Sequence, residues 1–209
     1  SSKIIKEHDL KLETNFTQVY RRNSTNLNCK RHKTIFNKFN IIPKYCFGCY
    51  KVQVEPQSVM ELIKLYLIFN FLKLEKSNIR KCMIEMRHYV QGFYKGIIYC
   101  QSLEEANTIA EKVSATIPYY TDKPMLVKVK RGCSEYEIEF PDYKKINNVG
   151  SQPMNYDLNW KRIEDEHDLK QSKKAKLHTN PDVSGLNLND FFIIQKWLNL
   201  RELILVLIY

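Results

Sequence analysis

Apolar and polar positions first fall into a regular pattern at residue 45. From Tyr45 to Glu55 the chain is rich in Tyr, Phe and Val and runs into Pro56, which predicts a strand. Ser58-Val-Met-Glu61 follows, a capping box in which the hydroxyl takes an amide of the first turn while Glu61 reaches back. It opens a helix to about Leu74, whose few polar residues are spread around the wheel, so the helix should be covered on more than one side. Ser77-Asn78 breaks the chain, and Ile79–Arg87 and Phe93–Cys100 read as two further strands. Ser102-Leu-Glu-Glu105 is a second capping box, opening a helix with one apolar stripe at Leu103, Ala106, Ala110, Val113 and Ile117 before Pro118.

Residues 125–140 predict a hairpin turning on Gly132-Cys133. Lys130 would then face Glu135, Lys128 face Glu137, and Val127 face Ile138, with opposite charges on one side and apolar residues on the other. The element order becomes β-α-β-β-α-β plus one added hairpin strand. That is a ferredoxin-like α+β arrangement, an antiparallel sheet with two helices on one face. The expected organisation is a basic N-terminal extension over 1–42, the ferredoxin-like core over 43–143, and over 144–209 a polar excursion ending in an apolar helix. That last segment, Leu188–Tyr209, ends in seven uncharged residues, Leu203–Tyr209, which should pack on the first helix or on a protein partner.

Charge changes the picture next. The chain carries 33 Lys and Arg against 23 Asp and Glu, a net +10. Residues 1–100 hold 18 basic and 7 acidic side chains, so the whole excess lies there. Some of it reflects a codon habit, since Lys, Asn, Ile and Tyr are abundant where Arg, Ala and Gly are scarce. The excess predicts a polyanion as partner, RNA first among them. Neither apolar segment, 59–74 or 191–209, has the roughly 20 nearly uncharged residues a membrane span requires. Six cysteines in 209 residues fall short of a disulfide scaffold, so a reducing cytoplasm is the expected setting.

Strand alternation sorts the side chains into two faces. Tyr50, Val52, Val54, Cys82, Ile84, Met86, Tyr94, Ile98, Val127 and Val129 should lie under the helices. Phe47, Lys51, Lys81, Met83, Arg87, Phe93, Lys95, Tyr99, Lys128 and Lys130 should lie opposite. Interleaved rings and cations suit single-stranded RNA, whose bases stack while Lys and Arg meet phosphates. The basic pairs Arg21-Arg22 and Arg31/Lys33 would add to that surface. The stretch Gly96-Ile-Ile-Tyr-Cys-Gln-Ser-Leu-Glu-Glu-Ala106 resembles the third strand and helix entry of RNA-recognition motifs over about a dozen residues. It departs from them where that family stacks bases on aromatics, for Lys95 and Ile97 stand there, with Phe93 and Tyr99 as the nearest substitutes.

Two constellations offer other chemistry. Cys46-Phe-Gly-Cys49 has CxxC spacing, and Cys82 and Cys100 could complete a tetrahedral Zn or Fe–S site, provided a turn at Gly48 brings 46 and 49 to one side. Cys82 and Cys100, like Cys46, also read as small core residues. Cys133 beside Arg131 is a weaker nucleophile candidate. Glu164 and His167, at i and i+3, could share a divalent ion or simply face solvent. No catalytic set assembles from spacing, and the leading expectation is a non-enzymatic binding protein. The alternatives are a cysteine-ligated metal protein or a structural subunit of a larger assembly.

Overall fold

The computed structural model describes residues 18–21, 27–87, 90–170 and 188–208, without the side chains of 20, 21 and 201–208. The fold is α+β, built on a five-stranded antiparallel sheet. In chain order the elements are β1 (Gln18–Arg21), α1 (Cys29–Phe39), α2 (Lys44–Gly48), β2 (Tyr50–Glu55), α3 (Val59–Phe71), β3 (Arg80–Ile84), β4 (Tyr94–Cys100), α4 (Leu103–Thr116), β5 (Leu126–Arg131), α5 (Trp160–Lys170) and α6 (Leu188–Ile208). The sheet order is β1-β3-β4-β2-β5.

Both capping boxes form. Ser58 and Ser102 accept the amides of Glu61 and Glu105 at 3.1 Å. Each Glu carboxylate turns back onto the amide before the cap, that of Gln57 or Gln101, at 2.7 Å. Helix α3 lies on β3 and β4, helix α4 on β2, β4 and β5, and α6 crosses α3 and β1 on the same side. The core between them holds Val52, Val54, Cys82, Ile84, Ile98 and Cys100, with Leu62, Leu65 and Phe69 from α3. Gly96 permits this packing, because a Cβ there would stand 2.4 Å from Leu65 Cδ2. Helix α6 is anchored by Ile193 and the fully buried Trp197, and by a 2.8 Å hydrogen bond from Tyr66 to Asp190. Leu203–Ile208 fall where side chains are not described, and Tyr209 lies outside the described residues.

Three expectations are corrected. The strand expected from Tyr45 begins at Tyr50, since residues 44–48 wind into α2 and place Cys46 and Phe47 in a second cluster with Tyr136 and Tyr143. Met86 and Arg87 lie past the end of β3, and Met86 is exposed rather than under a helix. The hairpin does not form: β5 pairs with β2, and Glu135–Glu137 is a 3-10 turn that buries Tyr136. Burial of that ring, against Phe36 at 4.6 Å and Tyr143 at 5.4 Å, outweighs the surface charge pairs the hairpin would have made. The added strand is β1, on the β3 edge, with Val19 opposite Cys82.

A cationic concavity on the sheet face

Opposite the helices, the sheet register sets side chains in rows. Lys81, Ile97, Gln53 and Lys128 stand side by side across β3, β4, β2 and β5. In the next row Tyr99, Lys51 and Lys130 are neighbours. Directly opposed like charges normally destabilise a strand pair, so Lys51 beside Lys130 is a costly arrangement for a sheet to keep.

This face is concave. Lys51, Gln53, Lys81, Met83, Lys95, Ile97, Tyr99 and Lys130 line its floor, around a volume of about 580 Å³. One wall is the chain following β5, from Gly132 through Ser134, Glu135, Glu137 and Ile138, with Lys144. That wall is held where it leaves the sheet: the Gly132 amide donates to Cys49 O at 2.9 Å, and Lys51 Nζ donates to Gly132 O at 3.3 Å. Glu85, Arg87, Val90 and Gln91 form another side.

Three of these cations, Lys51, Lys81 and Lys95, are held against their hydration. Burial pushes the Lys81 ammonium down to about 8, with Lys51 nearby adding to the effect. Burial lowers Lys51 too, Lys130 contributing, and it lowers Lys95 despite the neighbouring Glu85. Lys95 Nζ meets Glu85 Oε2 at 3.3 Å. Burial works against the Glu85 carboxylate, yet hydrogen bonds from Arg87 and the charge of Lys95 hold it down to about 2. Lys81 Nζ reaches Gln18 Oε1 at 3.3 Å and stands 5.9 Å from the centroid of the Tyr99 ring.

The expected binding residues are thus divided. Lys51, Lys81, Arg87, Lys95, Tyr99 and Lys130 come together in the concavity. Lys128, in line with them, is drawn to Glu55 at 3.2 Å. Phe93 lies just before β4 and packs edge-on against Tyr94. Phe47 stands apart, among Tyr143, Tyr156 and Trp160. Arg31 is a tie between α1 and α5, bidentate on Asp168 at 2.7 and 2.8 Å and 3.0 Å from Glu164. Lys33 is exposed on α1, Arg21 has no described side chain, and Arg22 lies outside the described residues. The wall is not announced by the sequence pattern, in which charge pairing alone sets Glu135 and Glu137 opposite Lys130 and Lys128.

The cysteine set separates as well. Cys82 and Cys100 sit in the helix-covered core, whereas Cys46 belongs to the second cluster, with Cys133 packed against it and its Sγ 3.4 Å from Tyr136 Oη. The turn of α2 does bury both Cys46 and Cys49, and burial pushes the Cys49 thiol up to about 12. The Cys46 thiol beside it lowers Cys133, against burial. Among the described residues no three His, Cys, Asp or Glu side chains stand where one metal ion could be held. Glu164 is occupied by hydrogen bonds from the Lys44 amide and the Tyr156 hydroxyl, both at 2.8 Å, besides Arg31, so its tie is to the fold rather than to solvent.

His32, next to Arg31 and stacked on Tyr45 at 5.2 Å, is buried. Burial, then the Arg31 charge, pushes it down to about 4. The unfolded chain, with an ordinary histidine near 6.5, takes up that proton first, so stability should fall as pH drops from about 6.5 to about 4. Thermal midpoints across this window should fall less steeply for His32→Phe than for the unaltered chain; equal slopes would remove His32 as the cause.

No described helix is long and apolar enough to cross a membrane. No protein family, curated protein or solved structure matches this chain.

Proposed function

We propose that this chain is a non-enzymatic binding protein that takes RNA, or another polyanion, on the concave face of its sheet. The observation that carries the reading is the gathering of Lys51, Lys81 and Lys130 around Tyr99, in a hollow where burial disfavours the charge of Lys51 and Lys81. A fold keeps partly desolvated like charges together at a cost, and an incoming phosphate offsets that cost by replacing lost hydration with charge-assisted hydrogen bonds. Tyr99 supplies the ring on which a base can stack. Setting β1 aside, the sequence β3-β4-β2-β5 is the one a split βαβ unit gives, which supports reading the core as ferredoxin-like with an added edge strand.

Binding of a fluorescent single-stranded RNA should weaken with salt. Each phosphate neutralised adds about −0.7 to the slope of log K on log salt. The same affinity should fall as pH rises through about 8, where Lys81 loses its proton. Affinity indifferent to both salt and pH sinks the proposal.

A further inference from the structure

The shape and charge of the hollow narrow the ligand further, on the premise that it is the binding site. We propose that it holds one nucleotide bearing a terminal phosphate, free or at the end of an RNA chain, rather than a run of stacked bases. Three observations lead there. First, the volume of about 580 Å³ is of the order of one nucleotide, and the wall from Gly132 to Ile138 bounds it on one side. Second, the wall and side carry carboxylates, Glu135, Glu137 and Glu85, while the ammonium groups of Lys51 and Lys95 lie on the floor with their residues 8% and 3% exposed. A phosphodiester chain crossing the face would run past the carboxylates, whereas a terminal phosphate can descend to the floor.

Third, the charge balance suits a dianion. Glu137 is matched by Lys144 at 3.2 Å and Glu85 by Lys95 and Arg87. Among the described residues of the lining, six cations stand against three carboxylates. A phosphodiester brings one negative charge, a terminal monoester nearly two at neutral pH. Beside these cations, Tyr99 is the single ring among the described lining residues, a platform for one base and not for several.

The test is a binding series on the whole chain at fixed low salt. It uses adenosine 5′-monophosphate, adenosine, inorganic phosphate, and a twelve-residue oligoadenylate RNA with either a 5′-phosphate or a 5′-hydroxyl. The nucleotide and the 5′-phosphorylated RNA should bind within about threefold of each other. Adenosine, inorganic phosphate and the 5′-hydroxyl RNA should each be at least tenfold weaker. Loss of the two tight interactions in Lys81→Met, with its fold verified by circular dichroism, places them in the hollow; their persistence there overturns the assignment. Equal binding of both RNAs, with affinity growing with length, overturns the single-nucleotide inference and leaves polyanion binding standing. Inorganic phosphate as tight as the nucleotide removes the base from the site. Binding by none of the five overturns the inference and the RNA reading together.

Discussion

Replacing Arg131 with methionine is expected to lower the stability of the fold by about 2–4 kcal/mol. Arg131 is buried at the end of β5, with its guanidinium between the rings of Tyr50 and Tyr143 at 4.7 and 5.2 Å. It donates to Tyr143 O at 3.1 Å, to Phe47 O at 2.6 Å and to the Tyr50 hydroxyl at 2.8 Å. The first two acceptors lie in the second cluster and the third is on the sheet, so one side chain joins the two hydrophobic cores. Methionine fills similar volume and leaves those acceptors without their donor in an apolar setting, where each costs about 1–3 kcal/mol. Part of that is returned, because the buried Arg131 Nη2 has no hydrogen-bond partner and its desolvation is removed too. Lysine at this position restores the charge but not the planar fork, and should recover less than half of the loss. Urea unfolding midpoints measure both variants; a change below about 0.5 kcal/mol in Arg131→Met would show that the cores hold together without the guanidinium. Since the second cluster also anchors the wall of the hollow, anion binding should weaken in the same variant.

How much of this was readable from residues alone depends on how local the determining forces are. The capping boxes at Ser58 and Ser102, the breaks at Pro56 and Pro118 and the alternation along β4 and, from Tyr50 on, along β2 act within a few residues, and the structure forms these where the pattern put them. The floor of the hollow was readable for the same reason: alternation alone puts Lys51, Lys81, Lys95 and Tyr99 on one face. The wall was not. Residues 132–138 satisfy a hairpin pattern locally, and only the distant partners Phe36, Cys46 and Tyr143 make burial of Tyr136 the better outcome. Arg31 misled in a similar way, because its carboxylate partners are 133 and 137 positions away. β1 left no signal, being a four-residue strand in a polar stretch whose hydrogen bonds come from an edge that the sequence does not announce.

Lys51→Met is expected to move stability and binding in opposite directions, and that opposition separates a functional lysine from a structural one. Lys51 occupies a middle strand, 8% exposed, with Lys130 opposite it on one side and Tyr99 on the other. The hydrogen bond it gives to Gly132 O, at 3.3 Å, is a weak return for an ammonium group that burial and Lys130 both disfavour. Methionine retains the stem that packs on the sheet and removes the charge, so the fold should gain about 1–2 kcal/mol. The pH dependence has a matching sign. A lysine whose pKa is lowered in the folded state holds its proton more tightly in the unfolded chain, so the penalty operates at neutral pH and fades as pH climbs toward the ordinary lysine value of 10.5. The gain from methionine should accordingly shrink in alkali. Binding should suffer, because a charge-assisted hydrogen bond to phosphate contributes about 1.5–3 kcal/mol, corresponding to about 10- to 150-fold in affinity. If Lys51 served the fold instead, its removal would lower stability and leave affinity nearly unchanged. Urea midpoints at pH 7 and pH 10, together with an RNA titration at one salt concentration, distinguish the two outcomes.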